Sequence, residues 1–154
     1  MTYLLVKLLH IVSSTLLFGT GIGSAFYLLC ASLQRRPQVV ASVAGFVVIG
    51  DWLFTSTSII IQPVTGFYLA AKAGYPFWEG WILWSTVLYV IAALCWLPVI
   101  LLQMRLRDAA RACAVANIPL SQAYWRLFRL WFALGIPAFA ALVAVFFLMV
   151  LKPA

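Results

Sequence analysis

Few side chains in this sequence could carry chemistry, and their scarcity makes each one informative. His10 is the only histidine. It lies one helical turn after Lys7, and its face continues through Ser14, Leu17, Gly21 and Ser24 at spacings of three and four. Small residues therefore line a slot beside the imidazole that a flat ring could fill. Neutral imidazole is a usual axial ligand of b-type haem, and Lys7 could pair with a propionate. With one histidine there is no bis-histidine site, so a second axial ligand must be softer. Met149 is the candidate, because a rise of about 1.5 Å per residue brings it to within about 10 Å of the membrane boundary that His10 also approaches. The expected cofactor is haem b, with His10 on the iron and Lys7, Ser14, Gly21 and Met149 around it. The same residues admit a plainer reading. His10 then hydrogen-bonds a neighbouring helix, Gly19 and Gly23 form a GxxxG pair that allows close packing, and Met149 packs in the core or faces lipid.

A second constellation is Asp51, Thr55, Ser58, Gln62 and Thr65, which follow one another at spacings of four, three, four and three. That is one helical face. A polar stripe cannot face hydrocarbon, so it must face the bundle interior, where it could line a proton or water path towards a redox centre. As the alternative, these side chains are interhelical hydrogen-bonding glue, with Asp51 protonated or paired with Arg126 or Arg129. A third group is Trp96-Leu97-Pro98 with Gln103, and Gly135-Ile136-Pro137, where proline frees a backbone carbonyl and a packing kink is the simplest account. No hydrolase triad, P-loop, paired-carboxylate site or metal-binding cysteine cluster is visible.

The elements that hold these residues are membrane spans. Of 154 residues, 66% are hydrophobic and 8% charged, against about a quarter charged in a soluble domain. Crossing a bilayer takes about 20 apolar residues per helix, which leaves room for roughly four spans in a single domain. The apolar runs cover about 3–33, 39–71, 79–104 and 124–151. The second is interrupted by Gly50-Asp51 and Pro63, and the third continues into water through Arg105, Arg107, Asp108 and Arg111. Ser121 is the expected N-cap of the fourth. The fold class is thus all-α, a membrane-embedded four-helix bundle.

The formal charge is +7, and seven of the ten basic residues, Arg35, Arg36, Arg105, Arg107, Arg111, Arg126 and Arg129, sit around two loops, with Lys7, Lys72 and Lys152 on the other side. Basic residues so placed meet anionic lipid headgroups rather than nucleic acid. By the positive-inside rule both termini lie outside, in the periplasm of a bacterium whose inner membrane holds the chain. Trp78, Trp81 and Trp84 form an aromatic belt at the outer start of the third span.

Four stretches carry a family resemblance: Lys7-Leu8-Leu9-His10-Ile11, Phe18-Gly19-Thr20-Gly21-Ile22-Gly23, Ile61-Gln62-Pro63-Val64-Thr65-Gly66, and Cys95-Trp96-Leu97-Pro98 continuing to Gln103-Met104-Arg105-Leu106-Arg107-Asp108. The sequence resembles, over nearly its whole length, the predicted bacterial membrane proteins grouped as domain of unknown function 2269. More distantly, the Lys-x-x-His pattern is similar to the first helix of the small membrane-embedded protoporphyrinogen oxidase, a haem b protein, and to the membrane domain of copper resistance protein D. The first of these implies a role for His10. The lysine that such oxidases use in a later helix has no match here, since Lys72 falls in a loop, and no methionine or histidine cluster suits copper.

The leading expectation is an inner-membrane protein that binds haem b through His10 and serves a redox or haem-pathway step, with quinone as a further candidate cofactor. The rival is a non-enzymatic permease, proton-coupled carrier or accessory subunit built on the Asp51 stripe. The GxxxG pair points to a homodimer.

Overall fold

A computed structural model describes residues 1–153. It contains four helices, each long and apolar enough to cross a membrane: α1 (Thr2–Leu33), α2 (Pro37–Lys72), α3 (Gly80–Val115) and α4 (Gln122–Leu151). No strand occurs among the described residues. Local chemistry sets the breaks between helices. Pro37 starts α2 at its first position, where the missing N–H costs nothing. Gly74 takes a left-handed φ of 78° just past α2, and Ser121 accepts a hydrogen bond from the Tyr124 N–H at 3.2 Å to open α4.

The helices run antiparallel, so every arginine falls at one end of the bundle. That end is also where the core sits. Leu28, Val40, Ala44, Leu102, Leu106, Tyr124, Phe128 and Trp131 belong to one buried cluster drawn from all four helices. Ser32 bonds the Tyr124 hydroxyl at 2.6 Å inside it. At the opposite end the bundle splays. α1 stays on α2 and α3 stays on α4, but α2 packs closely against α3 only through its first half, and α1 meets α4 lightly. The polar stripe and the cavities lie in the wedge between the two pairs.

α2 is continuous but irregular. Asp51–Thr55 forms a π turn, a feature often found at functional sites. Further on, Pro63 has no N–H to offer the Ile59 carbonyl one turn back. The Tyr89 hydroxyl on α3 supplies the missing donor, at 2.6 Å from the Ile59 oxygen. Tyr89→Phe keeps the ring and strands that carbonyl, so it is expected to cost about 1–3 kcal/mol. Thermal unfolding of the detergent-solubilised variant measures the loss.

Candidate functional site

The site grows from the seam between α1 and α2. Gln62 turns inward and its Nε2 donates to the His10 carbonyl at 2.7 Å and also to the Ser13 hydroxyl. These bonds fix the α1 backbone at His10 against the polar face of α2. The His10 ring lies over Gly66, where an added Cβ would stand 3.3 Å from the imidazole Cε1. Only a glycine leaves that seat open without displacing the ring.

The ring is tied to the same stripe. The Thr65 hydroxyl lies 2.7 Å from His10 Nδ1 and 2.6 Å from the Ile61 carbonyl. When its proton goes to that carbonyl, the usual back-bond of a helical threonine, its oxygen accepts from Nδ1–H and Nε2 keeps its lone pair. A hydrogen bond to one ring nitrogen that orients the other is the habitual companion of a ligating histidine. We expect 15N spectra of labelled protein to show His10 as a neutral ring protonated on Nδ1, and Thr65→Val to release that preference. A ring protonated on Nε2 in the unmodified protein would contradict the assignment.

His10, Ser14, Phe18, Tyr89, Phe146 and Met149 line one cavity of about 260 Å³ in the splayed half, so Met149 faces the same chamber as the histidine. Tyr3, Tyr75, Trp81 and Lys152 surround its mouth. The Lys152 ammonium stands 5.2 Å from the Tyr75 ring centre and 5.6 Å from that of Trp81, a cation held over two aromatic faces. Leu17, Phe18, Tyr89 and Leu142 separate this chamber from a second, of about 460 Å³, which contains Gly21, Asp51, Thr55 and Gln103 in its wall.

Several sequence expectations need correction. Lys7 is exposed and does not line the His10 chamber; its flexible chain at the end of α1 reaches solvent, and Lys152 is the cation at the mouth instead. Gly21 borders the second chamber rather than the first. Gly19 and Gly23 have nothing within 4 Å of an added Cβ, so they do not provide close packing inside the bundle. Asp51 accepts from Thr55 Oγ1 at 2.8 Å and forms no ion pair with Arg126 or Arg129. Those arginines are exposed because Tyr124, Phe128 and Trp131 occupy the inward face of α4.

Asp51, Thr55, Ser58, Gln62 and Thr65 are all buried. They form a single line down α2 from the second chamber to His10. Sequence reasoning missed Ser13, Gly66 and Tyr89. Their signals were present: a second serine three residues after the lone histidine, a glycine one residue beyond the stripe, and a tyrosine facing a proline that leaves a carbonyl free.

Among the described residues no three His, Cys, Asp or Glu side chains gather to hold a metal ion. No curated protein and no solved structure matches the sequence. A family model does, over residues 4–153, and its description agrees with the four apolar helices. The chain therefore belongs to the family of predicted integral membrane proteins called DUF2269.

Proposed function

We propose that the protein binds one haem b in the His10 chamber, with His10 Nε2 as axial ligand, and serves a redox or haem-pathway step. The observation that supports this reading is the contact of His10 Nδ1 with the Thr65 hydroxyl at 2.7 Å, which orients the ring of a histidine that lines the same chamber as Met149. The residues fit the group in kind. Gly66 seats the imidazole, aromatic and aliphatic walls flank the chamber, Met149 contributes a thioether to its lining, and Lys152 supplies a cation that would pair with a carboxylate. The volume lies just under the roughly 300–1,000 Å³ usual for small-molecule sites. A ring of this size needs Phe18 and Phe146, whose ring centres stand 5.4 Å apart between α1 and α4, to part.

Bound haem supplies one-electron transfer at its iron. The protein's own part is to orient the imidazole through Thr65 and Gln62, to exclude water with Phe18 and Phe146, and to hold an anionic group near Lys152. Protein purified in mild detergent after expression with ample haem is expected to show a Soret band that shifts on reduction. A preparation without one would overturn the proposal.

The placement in a bacterial inner membrane with both termini periplasmic rests on the arginines gathered at one end of the bundle, next to anionic headgroups. A reporter active only in the cytoplasm, fused after the last residue, should be silent.

A second reading is favoured by one observation: Asp51 is buried with Thr55 and has no cationic partner among the described residues. A proton-coupled carrier using that carboxyl loses function on Asp51→Asn and tolerates His10→Ala, and growth phenotypes of the two substitutions separate the readings.

A further inference from the structure

The second chamber has a chemistry of its own. It holds about 460 Å³, within the roughly 300–1,000 Å³ usual for small-molecule sites. Its wall is drawn from all four helices and is largely apolar, with Phe18, Tyr89, Trp96, Phe132 and Phe139 in it. Ile22 of α1 and Ile136 of α4 also line it, and they are 47% and 58% exposed. Those two helices meet only lightly, so the chamber reaches the lipid-facing surface between them. A molecule soluble in hydrocarbon has a path in.

One carboxyl belongs to this space. The chain has three acidic residues. Asp108 is exposed and paired with Arg107, and Glu79 lies in the turn before α3, which leaves Asp51 as the only buried acid among the described residues. Asp51 stands about 21 Å along α2 from Pro37, deep in the span. Thr55, one turn on, lines the same chamber and donates to Asp51 Oδ1 at 2.8 Å, which lays the carboxyl along that wall. The π turn of α2 begins at this residue. No lysine, arginine or histidine lines the chamber, and its only other titratable group, the Tyr89 hydroxyl, is committed to the Ile59 carbonyl.

These facts narrow the occupant. A carboxylate in apolar surroundings is costly without a counter-charge, so Asp51 must hold either a proton or a cation. The wall supplies no cation, which leaves a ligand as the source of one. A bare metal ion needs about six oxygen ligands, more than this wall offers. An organic cation whose charge is wrapped in apolar groups suits it. The carboxylate neutralises the charge, and aromatic faces attract a cation without demanding hydrogen bonds.

We propose that the second chamber binds a lipophilic organic monocation, which enters between α1 and α4 and exchanges with the Asp51 proton. On binding, the O–H bond of the carboxyl breaks, the proton leaves to water, and an ion pair takes its place. One proton goes out for each cation taken up. The inference rests on the second reading above, in which Asp51 carries the coupled proton, and names the substrate class of that carrier. It does not depend on haem binding at His10.

The test is equilibrium dialysis of the purified full-length protein in mild detergent with radiolabelled tetraphenylphosphonium, corrected for uptake by empty micelles. Saturable binding is expected, with one proton released per cation in weakly buffered solution. Affinity should rise about tenfold for each unit of pH while the empty carboxyl is protonated. Triphenylphosphine oxide, of similar shape without the charge, should not displace the cation. Asp51→Asn keeps the shape and should weaken binding by about 10- to 100-fold, the worth of a charge-assisted contact. Asp51→Glu should recover part of the loss, and His10→Ala should leave binding unchanged. Uptake no greater than that of micelles, binding without proton release, or equal displacement by the neutral analogue overturns the proposal. Loss of growth on Asp51→Asn in a protein that binds no such cation would keep the carrier reading and overturn this substrate class.

Discussion

His10→Ala is expected to remove haem binding altogether, leaving purified protein with no Soret absorption while its helical content is unchanged. The effect is large because the chain has one histidine and no other group that could replace its nitrogen at the same place. The surrounding residues should give graded results. Thr65→Val keeps the ligand and frees the ring to turn, so haem affinity should fall by about 10- to 100-fold, the usual range for loss of a partner that orients a ligating histidine. Met149→Leu keeps the volume and removes the sulfur; haem should remain, with an altered spectrum and a lower reduction potential, because thioether ligation raises potential. If His10→Ala retained the full Soret band while Thr65→Val lost it, the assignment of Nε2 as the ligand would be wrong.

Leu106→Ala is expected to lower stability by about 2–5 kcal/mol, the range for emptying a leucine-sized space in a packed core. Leu106 is fully buried, in the cluster that all four helices share at the arginine-rich end. In a bilayer, helices gain little from hiding apolar surface from one another, so packing at such a cluster supplies most of the association energy. Leu94→Ala is the contrast. Leu94 is on the same helix but 62% exposed, so the truncation leaves no internal space and should change stability by less than about 0.5 kcal/mol. Thermal or denaturant unfolding in one detergent compares the two directly, and equal losses would contradict a core confined to one end.

The architecture was legible because it follows from solvent. Long apolar runs must become helices in hydrocarbon, and proline, glycine and arginine mark where they stop. The face bearing Asp51 to Thr65 was legible too, since helical spacing puts those residues in line whatever surrounds them. What the sequence concealed depends on relations between helices. Nothing in Asp51-Trp52-Leu53-Phe54-Thr55 announces a π turn, because the change from one hydrogen-bond step to the next leaves no compositional trace. Lys7 is placed well for a partner along the chain, yet its exposure is set by how far α1 projects. Arg126 and Arg129 are near Asp51 in depth but lie on the far side of α4, an azimuth that only packing reveals. Gly19 and Gly23 have the spacing of a helix contact and meet no helix within the bundle.

The union of the two helix pairs at one end gives the bundle a mechanical character. α3 and α4 stay together, as α1 and α2 do, so the wedge opens between two stiff pairs and not around a single free helix. α4 has 30 residues, a rod of about 45 Å, so one degree of rotation between the pairs at the shared core moves the far tip by roughly 0.8 Å. What spans the wedge is aromatic: Phe18 of α1 stacks on Phe139 and meets Phe146 edge-on, with ring centres 5.2 and 5.4 Å apart. The width of the His10 chamber is therefore held jointly by the distant core and by these rings, which act as a spacer between two levers.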